Sequence, residues 1–400
     1  MIYKKENIEF VLKKISQTIE QDNFNFSNSG FSEGNLGYCL YYYYHFLLQN
    51  NNNDLDKLSF YLEKSIVDIN ENNVMYYSPT HIIEIGRLIA FFVSEKLLDS
   101  TYLQEFFNSS KEILSTYLNR KIQEKNFDNT NGILAVGNYL LDLFELEIYK
   151  DTNTIKSIFT CLQDNAIFND NRCFWKFNFR KLNTPFIELG IFHGISGIIL
   201  FLLRILRCKI DIKQVKYYIQ STCNFIISCE SHSNKYLFPL DSELRFGFPN
   251  SINLAYGDLG IGYSLKEAGI RLDSNEIIEK ANNIIKKCTN FRCNNNEIND
   301  AELIYGASGL MAFFDNIYYY NKKHIYKKST HYWIDKILHF NSQETKYAGF
   351  ETYMNGFRED VQYSFSHGII GISIALTCYI LQIPHKYLKL INYESYEYKI

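Results

Sequence analysis

The chain has 400 residues, 46% of them apolar and 21% charged, with a formal net charge of −3. A near-neutral balance offers no basic stripe of the kind a phosphate backbone requires, so no nucleic-acid partner is expected. No stretch reaches the roughly 18 apolar residues of a membrane span, because the richest, Ile191 to Leu206, is broken by His193, Ser196 and Arg204.

In chain order, Met1 to Glu20 reads as an amphipathic helix with Lys4, Lys5, Lys13 and Lys14 interspersed, which is not the basic start and unbroken apolar run of a secretory signal. Nine cysteines, an odd number scattered without a framework, fit free thiols in a reducing compartment. A cytoplasmic protein is therefore expected. A glycine pattern followed by an apolar run then recurs along the chain. It stands at Gly34-Asn-Leu-Gly37, in partial form at Gly132-Ile-Leu-Ala135, and at Gly194-Ile-Ser-Gly197, Gly257-Asp-Leu-Gly260, Gly306-Ala-Ser-Gly309 and Gly368-Ile-Ile-Gly371. An eroded copy lies at His81 to Glu84, before the run Ile85 to Phe92. The seven starts are separated by roughly 47 to 63 residues, room for two helices and their connections.

The runs behind the glycines, such as Ile198 to Leu206, Leu310 to Phe314 and Ile372 to Leu381, are apolar nearly all round, so they predict buried helices. Between them lie segments with apolar residues at spacings of three and four, Leu55 to Ile69, Gln104 to Leu118, Val215 to Ile227 and Ile277 to Lys287, which predict helices with one wet face. The alternation predicts an all-α fold of seven helical hairpins, an inner ring of seven helices within an outer ring, in a single domain over residues 1–400. Pro79, Pro185, Pro239, Pro249 and Pro384 all fall in segments read as connections. The longest irregular stretches, about Asn169 to Glu188, Ser231 to Ser251 and Asn341 to Ser364, are expected to wall the mouth of a cavity.

The motifs resemble those of the lanthionine synthetase C-like family across nearly the whole chain. Phe127-Asp128-Asn-Thr-Asn-Gly132 is similar to the family's third-repeat motif, with an aspartate four residues before the glycine, and Gly190-Ile-Phe-His193-Gly-Ile-Ser-Gly197 to its fourth, with the histidine in place. Leu254-Ala255-Tyr256-Gly257 resembles the fifth, Trp-Cys-Tyr-Gly, and Ile304-Tyr305-Gly306 the sixth, Cys-His-Gly. The resemblance implies an α/α toroid with a central cavity. It implies an activity that adds a cysteine thiol of a precursor peptide to a dehydrated serine or threonine, forming a (methyl)lanthionine ring. In that chemistry two cysteines and a histidine hold a zinc ion that keeps the thiol as thiolate.

Here the chain departs from the family's pattern. The positions matching the two zinc cysteines are Ala255 and Ile304, the one matching the zinc histidine is Tyr305, and Ser251 stands where the family has an arginine. Hydrocarbon side chains have no lone pair to give a metal, so no metal and no cofactor are expected. Two imidazoles, His193 and His367, would make a poor substitute zinc site without a third ligand.

The candidate catalytic residues are His193, as a general acid, and Asp128, as its orienting partner, although an aspartate four residues before a helix glycine is also an ordinary N-cap candidate. Tyr256, Tyr305 and His367 are candidate substrate-binding residues at adjacent helix starts. The expected partners are a precursor peptide and a dehydratase. Three functions compete: a zinc-independent cyclase of peptide modification, a non-catalytic scaffold that binds a peptide or a partner enzyme, and an α/α-toroid glycoside-processing enzyme. The last needs two facing carboxylates, and the helix starts offer only Asp128 and Glu33 on this reading.

Overall fold

Helices that are apolar on nearly every face are stable only where neighbours cover them, and this rule sorts the chain into two kinds of helix. The structure, a computed structural model, describes residues 2–70, 79–177, 185–232, 235–244, 247, 252–292, 298–341, 344–353 and 358–393. In chain order the helices are α1 (Lys5–Asp22), α2 (Leu36–Gln49), α3 (Asn53–Asn70), α4 (Pro79–Ser94), α5 (Ser100–Gln123), α6 (Ile133–Glu145), α7 (Asn153–Asp164) and α8 (Ile195–Arg207). They continue as α9 (Ile212–Ser228), α10 (Asp258–Leu272), α11 (Asn275–Thr289), α12 (Ala307–Asn321), α13 (His324–Phe340), the short α14 (Glu359–Tyr363) and α15 (Ile369–Leu381). Helices α2, α4, α6, α8, α10, α12 and α15 are buried along most of their length, whereas α1, α3, α5, α7, α9, α11 and α13 each keep a solvent face.

The chain divides into two compact units, one of residues 1–85, 289–389 and 393–400, the other of residues 86–288 and 390–392. In the first unit α2 and α12 both pack against α15, with α3 on α2, α13 on α12 and α1 on α15. In the second unit α6 and α10 both pack against α8, with α5 and α7 on α6 and α9 on α8 and α10. Burying each Ile or Leu of such a helix contributes about 1.5–3 kcal/mol, and α15 buries every residue from Ile369 to Ile380.

The apolar packing of the second unit admits a charged network on three of its helices. Arg204 projects from the last turn of α8 yet is only 4% exposed. Its Nη2 donates to Asp142 Oδ1 at 2.8 Å, while Arg87 Nε, from α4, donates to Asp142 Oδ2 at 2.9 Å. One carboxylate thus answers two buried guanidinium groups.

The glycines at the starts of the buried helices are held there by close approach. Gly132, Gly194, Gly257, Gly306 and Gly368 are all N-cap residues with extended backbone, and Gly34 precedes the N-cap Asn35. At Gly132 a Cβ would lie 2.5 Å from Asn126 O and from Asp128 N. At Gly306 it would lie 2.5 Å from Glu302 N. The preceding loop folds back over the helix start, as the bonds Gly132 N–H to Asp128 O at 3.1 Å and Ala307 N–H to Asp300 O at 3.1 Å record. Residues four places before each glycine are thereby pinned against the helix end.

Three features differ from the sequence reading. The stretch from Asn169 to Glu188 is not wholly irregular, since strands β1 (Ile167–Asn169) and β2 (Arg172–Phe174) form an antiparallel hairpin with Phe168 opposite Cys173. Strands of three residues are too short to show alternation. Pro79 is the first residue of α4, where its missing N–H leaves no helical bond unmade. Consequently α4 begins before the eroded repeat at His81, which lies within the helix. Pro249, Ser251 and Cys293 lie outside the described residues, and the other eight cysteines are free thiols.

Candidate functional site

Three loops meet at the helix starts of the second unit. The loop before α6 places Asp128, fully buried, with Oδ1 accepting from Thr130 N at 2.6 Å and Asn131 N at 2.9 Å. The aspartate therefore closes a turn in the loop and is not the helix N-cap, which is Gly132, and its other oxygen remains for a second task. Oδ2 is hydrogen-bonded to His193 Nδ1. The loop before α8 is fastened to that turn by Asn129, whose side-chain amide donates to Ile191 O at 2.7 Å and whose backbone N–H donates to Phe192 O at 3.2 Å.

The loop before α10 joins on the other side. Ile191 N–H donates to Ala255 O at 2.9 Å, and a Cβ on Gly190 would lie 2.5 Å from that same oxygen. The Tyr256 ring stacks on His193 with centroids 5.8 Å apart and planes 30° from parallel. Asn253 Oδ1 accepts the Tyr256 N–H at 2.9 Å and fixes the turn. His193 and Tyr256 are half-buried, so the imidazole has a buried carboxylate behind it and is partly exposed to solvent. Burial pushes the Asp128 carboxyl up, but the hydrogen bond and charge of His193, with the bonds from Thr130 and Asn131, outweigh it and hold the group below its ordinary value. A carboxylate so held fixes the imidazole as its Nδ1–H tautomer and favours an imidazolium when one forms.

The first unit repeats the arrangement with different residues. Glu302, four residues before Gly306, has a fully buried side chain and is hydrogen-bonded to Nδ1 of His367, which directly precedes Gly368. The Tyr305 ring stacks on His367 with centroids 5.7 Å apart and planes 7° from parallel. Ser366 O accepts from both Leu303 N and Ile304 N, at 3.2 and 3.1 Å, and Ser366 N donates to Ser32 O at 3.1 Å. Three helix-start loops are again sewn together. Both acid–imidazole pairs link residues 65 apart, the acid four places before one glycine and the histidine one place before the next.

The five residues singled out in the sequence therefore fall into two groups. Asp128, His193 and Tyr256 meet in the second unit; Tyr305 and His367 meet in the first. Sequence reading missed Glu302, because its register relative to Gly306, the same as that of Asp128 relative to Gly132, was the only signal for it.

The fold and these sites define a class: a helical-hairpin repeat protein whose helix-start loops present carboxylate-backed imidazoles. A profile of the family described as Lanthionine synthetase C-like protein matches residues 6–243 and 227–398. The chain is similar to the solved structure of nisin cyclase at 17% sequence identity, with 97% of this chain and 96% of that chain covered and a TM-score of 0.70. It has that protein's fold, the α/α toroid. A search of curated proteins finds no match. The chain belongs to the lanthionine synthetase C-like family.

The zinc ion that the family resemblance implies does not fit these residues. Ala255 is fully buried and Ile304 is 3% exposed, both hydrocarbon, and the Tyr305 ring is stacked on His367. Among the described residues no three His, Cys, Asp or Glu side chains are grouped to hold a metal ion, and no helix is long and apolar enough to cross a membrane.

Proposed function

We propose that the protein is a zinc-independent cyclase of peptide modification, which adds a cysteine thiol of a precursor peptide to a dehydroalanine or dehydrobutyrine and forms a thioether. The observation that carries this reading is the Asp128–His193 pair with Tyr256 stacked on the ring. The solved relative is named as a cyclase of the peptide nisin, and the chain matches it over nearly its full length.

In the addition, the S–H bond breaks and its proton passes to solvent, the sulfur electron pair bonds to the β-carbon of the dehydroamino acid, the double-bond electrons move toward the carbonyl as an enolate, and the α-carbon then takes a proton, so that the net change moves one proton from sulfur to carbon. With Nδ1–H donated to Asp128, His193 exchanges that proton at Nε2, and the buried carboxylate stabilises the imidazolium before transfer. The precursor peptide and a dehydratase that supplies the dehydrated residue are the partners this chemistry needs.

The test is to incubate the purified chain with a synthetic peptide bearing one dehydroalanine and one cysteine and to count free thiols by alkylation and mass. Loss of thiol is expected, slowed by about 10²–10⁴-fold in His193→Ala, the usual worth of a positioned acid. Peptide binding without any thiol loss would instead support the scaffold reading, in which the loops bind the peptide and the chemistry happens elsewhere.

A further inference from the structure

Helices α1, α2 and α15 of the first unit leave a cleft of about 750 Å³ between them, lined by side chains from all three. That volume falls within the roughly 300–1,000 Å³ of small-molecule sites. We propose that the cleft is a hydrolytic site in which Ser16 is the nucleophile, His45 its general base and Asp54 the residue that positions His45, with a small uncharged carboxylic ester as substrate.

The three side chains form a continuous relay across three helices. Ser16 Oγ on α1 lies 3.3 Å from Nε2 of His45 on α2, and His45 Nδ1 lies 2.8 Å from Oδ2 of Asp54 in the first turn of α3. Ser16 and His45 both line the cleft, whereas Asp54 is only 1% exposed. An imidazole bound at Nδ1 to a buried acid is held as the Nδ1–H tautomer, which leaves the Nε2 lone pair for the hydroxyl. Tyr41 stacks on the same ring, with centroids 5.5 Å apart and planes 23° from parallel, and fixes its plane.

Ser16 also departs from the habit of hydroxyls inside helices, which is to bond back to the preceding turn. Ser65, Ser110, Thr222 and Thr330 do so, each donating to the carbonyl four residues earlier at 2.8, 2.8, 2.6 and 3.0 Å. Ser16 reaches instead to a ring on another helix. A nucleophile beside a base that a third group orients is the arrangement that activates a serine, and its reach of about 2.6–3.2 Å is looser before substrate binds.

The lining sets the substrate. Leu12 and Leu48 give the cleft an apolar side for an acyl chain. Lys13, three residues before Ser16 and therefore beside it on the surface of α1, lines the cleft together with Gln17. Both carry N–H donors for the carbonyl oxygen that becomes negative on attack. Glu9 and Glu20 set two carboxylates against the one ammonium of the lining, which disfavours an anionic substrate.

In the reaction the Ser16 O–H bond breaks, its proton passes to His45 Nε2, and Oγ bonds to the ester carbonyl carbon. The bond from that carbon to the alkoxy oxygen then breaks, and the alcohol leaves with the proton from His45. Water repeats the step on the acyl-serine: it gives a proton to His45 as its oxygen bonds to carbon, and Oγ takes that proton as the acid departs. The net change turns one ester and one water into one acid and one alcohol. His45 stands nine residues beyond Leu36, the first residue of α2, which is about 13 Å along the axis from that helix start. The site is therefore separate from the helix-start loops of its unit and does not depend on the cyclase reading.

The test is to treat the full chain with a fluorophosphonate, which phosphonylates activated serines, and to locate the adduct by intact mass and peptide mapping. One adduct per chain on Ser16 is expected in the wild type and none there in Ser16→Ala. Labelling should be slower by about 10²–10⁴-fold in His45→Gln, whose amide still faces Asp54. Matched melting temperatures confirm that the variants fold. With p-nitrophenyl acetate, the wild type should hydrolyse the ester faster than Ser16→Ala does, and Asp54→Asn should lower kcat with KM unchanged, which a role in helix packing alone would not do. No adduct on Ser16 in the wild type overturns the proposal without reference to any variant. Labelling of Ser16 at the same rate in His45→Gln also overturns it, and reduces the three residues to a contact between helices.

Discussion

At the scale of single residues, Asp128 does two jobs with two oxygens. Oδ1 closes the turn before α6 and Oδ2 orients His193, so a change at this position separates folding from chemistry by pH. The carboxyl is held below its ordinary value in the folded chain, so its contribution to stability is fully present above the unfolded value near 4 and is lost as pH falls through the lower, folded value. Asp128→Asn is therefore expected to lower stability by about 1–3 kcal/mol between pH 5 and 8, the cost of disturbing buried hydrogen bonds. The gap to wild type should begin to narrow below about pH 4, where the unfolded carboxyl is protonated, and close only below the lower, folded value, where both side chains are neutral in both states. Denaturant melts across that range check this, and a gap that stays constant into acid would show that the carboxylate charge contributes nothing.

At the scale of elements, the buried helices are stable because their apolar sides meet, and α8 shows the exception that tests the rule. Arg204 is buried in a largely apolar helix, and its charge is tolerated because Asp142 on α6 answers both it and Arg87 on α4, with Glu145 at 3.2 Å as a second partner. Asp142→Ala would remove the carboxylate that the two buried guanidinium groups share, leaving Arg204 with Glu145 at 3.2 Å and Arg87 with Leu390 O and Asn392 Oδ1. The expected loss is about 3–5 kcal/mol, the scale for removing one partner of a buried ion pair, with α4, α6 and α8 loosening together. Hydrogen exchange on those three helices is the measurement, and a loss confined to α6 would show that the network does not couple them.

At the scale of the whole molecule, the chain keeps its family's fold while its metal positions hold Ala255, Ile304 and Tyr305. Where zinc is structural, its removal costs folding energy directly. Here a strong chelator is expected to leave the melting temperature, peptide binding and any thiol addition unchanged, and elemental analysis after dialysis should give far less than one zinc per chain. One tightly held zinc per chain, lost on His193→Ala, would mean that the site has been rebuilt around a metal.

Much of this was legible in the amino-acid order. Periodicity placed α3, α5, α9 and α11 as half-wet helices and α8, α12 and α15 as buried ones, because burial on one face or on all faces is a local property of side-chain spacing. The glycine register marked the helix starts because a loop folding back over a helix end leaves no room for a Cβ. The motifs also singled out Asp128 and His193, although nothing local says that they touch. Their bond spans 65 residues and depends on two loops being sewn together through Asn129 and Ile191, as the Glu302–His367 bond depends on Ser366. Sequence alone therefore determined the helices, their two kinds and the absent zinc ligands. Only the tertiary structure decided which acid faces which imidazole, because hydrogen bonds between distant loops follow from how neighbouring helices pack.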